Sequence, residues 1–279
     1  MTFLIHGATG AQGAPVADAL LRAGKTVTAV VRSTASYTSG AAVMVDNSSV
    51  ASLADAYTGA EGLFIHLPLG SPLQQLDHAR NIAAAVSRTR PSRVVFSTSG
   101  YPLGEDEESP HGVLMRGLQD SGVSSAIVAP RLFLENLLLP PVVAGAREQG
   151  VLEYPLRTDY RASWSSHLDI ADVVVKLFED TDVSGVVTVG ALPGLVGENL
   201  AEGFAKYLDR DVRFRAQTPD EFGAAMIPLF GHEGIGPVVD SYHWRNTQPD
   251  ELIDETRSAQ KLLGLHPRPV EQWLRDVNA

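Results

Sequence analysis

The feature that most restricts what this chain can fold into lies at its start. A short apolar run, Phe3-Leu4-Ile5, breaks at Gly7 and passes through Gly7-Ala8-Thr9-Gly10-Ala11-Gln12-Gly13 into a helical pattern. Val16, Leu20 and Ala23 share one face of that helix, so the stretch reads as strand, glycine turn and helix. The spacing has a physical reason. Gly7 allows the tight turn out of the strand, Gly10 lets the backbone approach a diphosphate, and Gly13 lets the helix pack closely on the strand. The helix N–H groups then face the phosphates with the positive end of the helix dipole behind them, and Pro15 fits the first turn. Thr9, Ala11 and Gln12 complete this candidate cofactor loop. Three glycines alone also fit an ordinary βα turn, and the following segments narrow the choice.

After Gly24, the β-branched run Thr26-Val27-Thr28-Ala29-Val30-Val31 has strand length and closes on Arg32-Ser33-Thr34. A dinucleotide fold meets the adenosine ribose at this point. A carboxylate there would bind the 2′-hydroxyl, whereas Arg32 with Ser33 favours a 2′-phosphate and so NADP(H). A surface arginine on a loop is the alternative. Ala42-Val43-Met44-Val45 predicts a third strand ending at Asp46, either a contact to the adenine edge or a helix cap. A helix marked by Val50, Leu53 and Tyr57 precedes the fourth strand, which runs into His66, Leu67 and Pro68. The next helix carries Leu76, Ala79, Ala83 and Val86. The run from Arg93 to Ser97-Thr98-Ser99 predicts a fifth strand, and Ser124 to Pro130 a sixth.

Strands alternating with helices of this length predict an α/β chain, a Rossmann-like doubly wound parallel sheet. Ligands of such sheets lie beyond the carboxyl ends of the strands. This places Gly10, Gln12, Arg32, Asp46, His66, Leu67, Ser97, Thr98 and Ser99 around one crevice. The sequence therefore predicts a nucleotide-binding domain over 1–153, with a segment near 167–190, including Gly185–Val189, returning to its sheet. A smaller α+β substrate-binding part is expected over 154–279. There, a helix is expected from Glu198 to Leu208, a strand from Val212 to Arg215 and a helix from Pro219. The glycine-rich stretch Phe230–Pro237 reads as a loop, and with Tyr242, His243 and Trp244 as a lid over a flat ligand or as packing aromatics.

Composition excludes several classes. With 279 residues, 44% of them hydrophobic, there is ample material for a core. A net charge of −11 argues against a nucleic-acid partner, which would require clustered Lys and Arg. The absence of cysteine removes disulfides, zinc–thiolate sites and thiol nucleophiles. The run Met1-Thr2-Phe3-Leu4-Ile5 carries no basic residue and is too short to read as a signal peptide, and Leu132 to Val143 is interrupted by Glu135, Asn136 and Pro140-Pro141. No membrane segment and a soluble, cytoplasmic protein are therefore expected. Glu105-Asp106-Glu107-Glu108 reads as a solvated loop rather than a metal site, and the histidines show no ligand spacing.

These segments, with His111 to Gly122 and Pro130-Arg131-Leu132-Phe133-Leu134-Glu135-Asn136, resemble the NmrA-like branch of the atypical short-chain dehydrogenases, especially its NADPH:quinone oxidoreductase and triphenylmethane reductase types. The proton-donor pattern of ordinary short-chain dehydrogenases, Tyr-x-x-x-Lys, is absent: Tyr101 is followed four residues later by Glu105. The resemblance puts a histidine at His111, so His111 and Tyr101 are the candidate proton donors or orienting groups. It also places Phe133 and Asn136 near the nicotinamide or substrate, and Ser99 joins them from the crevice. The implied activity is NADPH-dependent hydride transfer to a quinone-like or other planar conjugated small molecule, with a homodimer as an optional assembly. The alternatives are an NADP(H)-binding redox sensor without turnover, or a tailoring enzyme of aromatic metabolism.

Overall fold

The computed structural model describes residues 2–34, 37–102 and 108–279. The first half runs β1 (Thr2–His6), α1 (Gly13–Arg22), β2 (Thr26–Val31), β3 (Ala41–Met44), α2 (Val50–Tyr57), β4 (Gly62–His66), α3 (Pro72–Thr89), β5 (Arg93–Ser97), α4 (Pro110–Ser121) and β6 (Ser125–Pro130). It continues with β7 (Leu132–Phe133), α5 (Pro140–Ala144), β8 (Val151–Tyr154), β9 (Arg161–Ala162), β10 (Trp164–Ser165), α6 (His167–Glu179) and β11 (Gly185–Val189). Last come α7 (Gly197–Leu208), β12 (Arg213–Ala216), α8 (Pro219–Thr247), β13 (Asp250–Glu251), α9 (Ala259–Leu263) and α10 (Val270–Asp276).

Two compact units emerge, interleaved in sequence. One takes the chain up to Pro130 with His167–Val189 and Glu255–Leu265, and the other takes Arg131–Ser166, Gly190–Asp254 and His266–Ala279. Arg131–Glu153, assigned from sequence to the nucleotide-binding part, thus groups with the second unit.

The first unit is built on a seven-stranded sheet in the order β11-β6-β5-β4-β1-β2-β3. Every pairing in it is parallel. This is a Rossmann-type α/β sheet. Its central strands read as continuous apolar runs because both faces are covered; β5 is buried at every position. Leu4, Leu63, Ile65, Val94 and Phe96 from the strands pack with Leu53, Ile82, Val86, Leu114 and Leu118 from the helices. Helix starts follow their sequence signals. Ser71 and Gln74 form a capping box with Pro72 next to the cap of α3, and Ser109 caps α4 ahead of Pro110.

Arg93, buried at the start of β5, ties the other end of the sheet to α6. Its guanidinium donates to the carbonyls of Leu177 (3.1 Å), Thr181 (3.4 Å) and Val183 and to Ser124 Oγ (2.7 Å).

The second unit contains three two-stranded parallel pairs, β7–β10, β8–β12 and β9–β13. Its core is aromatic. The Tyr154 ring meets Trp164, Phe222 and Tyr242 edge-on at 5.6, 5.8 and 5.5 Å, and the Tyr154 and Tyr242 hydroxyls are hydrogen-bonded to each other. Burial raises both phenol pKa values, so both stay neutral. Arg245 lies over Tyr242 at 5.4 Å and donates from Nε to Glu251 Oε2 at 2.7 Å.

The loop expected at Phe230–Pro237 is a correction to the sequence reading, because the residues belong to α8. The helix breaks only at Gly231, which adopts φ 69° and ψ 167°, a conformation open to glycine. Glycines inside a helix cost about 1 kcal/mol each. Burial of Ile235 and of Tyr242 against the aromatic cluster offsets that cost. Tyr242 therefore packs as a core residue.

Candidate functional site

The glycine loop lies at the carboxyl end of β1, and its three glycines are held there for different reasons. Gly7 has φ +63°, and a Cβ on it would lie 2.1 Å from His66 Nε2. It serves the turn and also leaves room for the imidazole at the end of β4. Gly13 has no space at all, since a Cβ would stand 2.2 Å from Gly7 O and 2.8 Å from His6 O, both backbone. At Gly10 a Cβ would meet only Gly7 O, at 3.3 Å, and the residue is exposed. The protein's own packing therefore presses far less on Gly10 than on Gly13, whereas a ligand approaching the backbone would favour glycine there.

α1 starts without a side-chain cap and without an acidic residue in its first turn, which leaves the positive end of its dipole uncompensated. Gln12, the residue before it, is buried yet does not cap the helix. Thr9 and Ala11 are exposed on the loop.

Among the described residues of this unit several buried side-chain polar atoms have no hydrogen-bond partner, and three of them are Gln12 Oε1, His66 Nε2 and Thr98 Oγ1. Such atoms are uncommon and call for an explanation. These three stand at the carboxyl ends of β1, β4 and β5, adjacent in the sheet. A glycine backbone open on one side, an uncapped helix start and nearby unpaired polar atoms fit a diphosphate-bearing nucleotide.

Arg32 and Ser33 follow β2 directly and are exposed. Asp46 follows β3, but it is not the helix cap considered from sequence. Its Oδ1 accepts from Ser48 N (2.9 Å) and Ser48 Oγ (2.6 Å), while Ser49 caps α2. Those Ser48 bonds, above all, lower its carboxyl pKa. Leu67 is buried beside His66.

Below the loop, His6 and Tyr57 share a buried hydrogen bond of 2.8 Å, a pairing the sequence reading missed. Desolvation, with a contribution from His66, lowers the His6 pKa to about 3. Burial also lowers His66 and, with a smaller effect of His66, brings His167 down to about 4. These imidazoles are neutral at physiological pH. Among the described residues, no group of three His, Cys, Asp or Glu side chains is arranged to hold a metal ion. Glu105, Asp106 and Glu107 lie outside the described residues, and Glu108 stands 3.6 Å from Arg116.

Past β5 the chain turns sharply. Ser97 Oγ accepts from Ser99 N (3.2 Å), and Tyr101 N donates to Thr98 O (3.0 Å). Ser99 (φ 54°) and Gly100 (φ 87°) are both left-handed, a strained conformation for the serine. The turn lays the Tyr101 ring on His111, centroids 4.5 Å apart and planes 24° from parallel. Phe96 also stacks on the imidazole, centroids 6.0 Å apart and planes at 23°. His111, in the first turn of α4, is only 4% exposed, and burial lowers its pKa to about 4. It is a neutral hydrogen-bonding group at pH 7 and holds no excess proton to give. The structure thus brings the two candidate proton donors together as stacked rings.

Phe133 and Asn136 belong to the second unit. Phe133 is half-buried on β7, opposite Ser165. Asn136, in a 3₁₀ turn over Leu134–Leu138, bonds the Tyr154 hydroxyl. Ser165 Oγ is buried without a hydrogen bond, a polar group that no pattern of neighbouring residues singles out. No described helix is long and apolar enough to cross a membrane.

No curated protein matches the chain by sequence. Solved structures resemble it over nearly their full length. Triphenylmethane reductase of Citrobacter sp., complexed with NADP(H), is 14% identical over 99% of each chain, with a TM-score of 0.79. The NADPH-dependent quinone oxidoreductase QOR2 of Escherichia coli, complexed with NADPH, is 18% identical over 100% of each chain, TM-score 0.74. A nucleoside-diphosphate-sugar epimerase of Staphylococcus aureus is 15% identical over 99% of this chain and 100% of its own, TM-score 0.76. At these identities the likeness is one of fold. The model of the NmrA-like family, however, matches residues 1–274, and the chain belongs to that family.

Proposed function

We propose that this protein binds NADP(H) and is an NADPH-dependent reductase of a quinone-like or other planar conjugated small molecule. The observation that carries the reading is the glycine loop at the carboxyl end of β1. It has an exposed Gly10 that packing constrains far less than Gly13, an uncapped α1, and Arg32 at the end of the neighbouring strand. The NADP(H)-bound reductases of the same fold support the cofactor and reaction type.

In this reading the main-chain N–H groups from Ala11 to Gly13 hold the diphosphate, and Arg32 with Ser33 pairs with the 2′-phosphate. Gln12, His66, Leu67, Ser97 and Thr98 line the rest of the cofactor, and Ser99, Phe133 and Asn136 are assigned to the substrate. When bound, NADPH supplies a hydride, so that two electrons reach the acceptor, NADP⁺ is left, and water supplies the proton. Neutral His111 and the missing Tyr-x-x-x-Lys suit an acceptor whose reduced anion is delocalised and needs no strong acid.

Fluorescence titration tests the cofactor assignment. NADPH should bind tighter than NADH, and Arg32→Ala should remove the difference; equal affinities in the unaltered protein would refute the role of Arg32. Oxidation of NADPH with menadione or a triarylmethane dye tests the reaction. The same lack of an acid also favours a second reading, a redox sensor. Tight NADP(H) binding without turnover across a quinone and dye panel would select it.

A further inference from the structure

The turn after β5 creates a surface that the cofactor assignment does not use. Ser99 and Gly100, both left-handed, fold the chain back so that one face of Tyr101 covers His111 while the residue stays 47% exposed. His111 in turn stacks on Phe96, which is fully buried in the core. Two further apolar side chains are exposed after the neighbouring strand β4: Leu69, 91% exposed past its end, and Leu73, 75% exposed at the start of α3. β4 and β5 are neighbours, with His66 opposite Ser97. Tyr101 and Leu69 therefore follow neighbouring strands, and β1 with its glycine loop is the next strand beyond β4.

A large aromatic ring stacked on a buried imidazole and held half-exposed by a strained turn has a cost that core packing alone does not explain. Conjugated π-systems stack on such a face in an offset arrangement.

We propose that Tyr101 is the specificity-determining residue for the electron acceptor, offering its outer face to a planar conjugated ring, and that His111 is a positioning residue holding Tyr101 in place. This rests on the reductase reading above and adds to it which residue selects the acceptor. Neither side chain exchanges a proton with the substrate. Reduction takes its hydride from the dihydronicotinamide and its proton from water. The acceptor's fused-ring area then sets its affinity: a two-ring naphthoquinone gains more from the platform than a one-ring benzoquinone.

The test uses the full chain saturated with NADP⁺ and reads menadione binding by calorimetry, with KM and kcat for menadione and benzoquinone measured alongside. Tyr101→Leu should weaken menadione binding roughly 3- to 10-fold, the size of one aromatic stacking contact. Benzoquinone should lose less, kcat should change little, and Tyr101→Phe should restore the loss. His111→Ala should reproduce the weakening and His111→Phe should rescue it, since a ring without N–H still supports the stack. Menadione affinity indifferent to Tyr101→Leu overturns the proposal. A kcat lost in His111→Phe with NADPH affinity intact also overturns it, by making His111 a proton donor. Absent turnover combined with Tyr101-dependent menadione binding would refute the reductase reading and leave the platform standing. Tyr101 is half-exposed, so its variants keep the test decisive should a His111 variant misfold.

Discussion

Gly10 and Gly13 belong to one motif, but the structure predicts opposite outcomes when each is changed to alanine. At Gly13 the new methyl would stand 2.2 Å from Gly7 O, 2.5 Å from Gly7 C and 2.8 Å from His6 O. A carbon needs more than 3 Å from each, and all three are backbone atoms of β1 and its turn, so strand and helix must separate by up to about 1 Å. Overpacking of this kind costs about 1–3 kcal/mol or more, which the helix propensity of alanine, better than glycine by about 1 kcal/mol, only partly offsets. A net loss of about 2 kcal/mol corresponds to a fall in Tm of roughly 4–8 °C in a chain of this size. At Gly10 the nearest described atom is Gly7 O, at 3.3 Å, which needs to give by only a few tenths of an ångström, so Gly10→Ala should melt much closer to the unaltered protein than Gly13→Ala does. On an exposed loop that is proposed to hold the diphosphate by its backbone, the added methyl should nevertheless lower NADPH affinity at least about tenfold, or about 1.4 kcal/mol. Circular dichroism melts and NADPH fluorescence titrations on both variants decide the matter. A Gly13→Ala protein as stable as the original, or a Gly10→Ala protein with unchanged NADPH affinity, would refute the reasoning.

Two further predictions concern stability. Arg93→Met leaves the Leu177, Thr181 and Val183 carbonyls without their shared donor, so the protein should lose on the order of 3 kcal/mol, readable as a lower urea midpoint; an unchanged midpoint would show that the guanidinium does not hold α6. The second concerns pH. His6 and His111 are buried neutral with folded pKa values of about 3 and about 4, below the ordinary 6.5, so the unfolded chain binds protons that the folded chain refuses. Their contribution is intact above about pH 6.5 and is lost as pH falls toward the folded values, at up to about 1.4 kcal/mol per pH unit for each. Tm should therefore fall between about pH 6.5 and 4.5, and less steeply in His111→Phe; equal slopes would show that His111 is not buried neutral.

Much of the first unit was legible because its signals are local. Strand runs such as Thr26–Val31 and Val94–Phe96, the Ser-Pro helix starts at Ser71-Pro72 and Ser109-Pro110, and the glycine spacing each act within a few residues, where turn chemistry and periodicity decide conformation. The return of Gly185–Val189 to the sheet could also be inferred, since an apolar β-branched run must find a covered place. The glycine-rich stretch after Phe230 was misread for a corresponding reason. Local propensity favoured a loop, while burial of Ile235 and Tyr242 by residues far away in sequence made it helix.

The amino-acid sequence alone thus determined the alternation of strands and helices, the nucleotide-type turn at Gly7–Gly13 and the basic residue at the end of the second strand, all of them short-range properties. Only the tertiary structure decided that His66 stands over Gly7 and that Asp46 is occupied by Ser48. It also decided that Tyr101 and His111 meet as stacked rings against Phe96. These relations join separate segments of chain. Burial there takes the proton from an imidazole that would titrate near neutrality in water, and no spacing along the chain records how deeply a side chain will be buried.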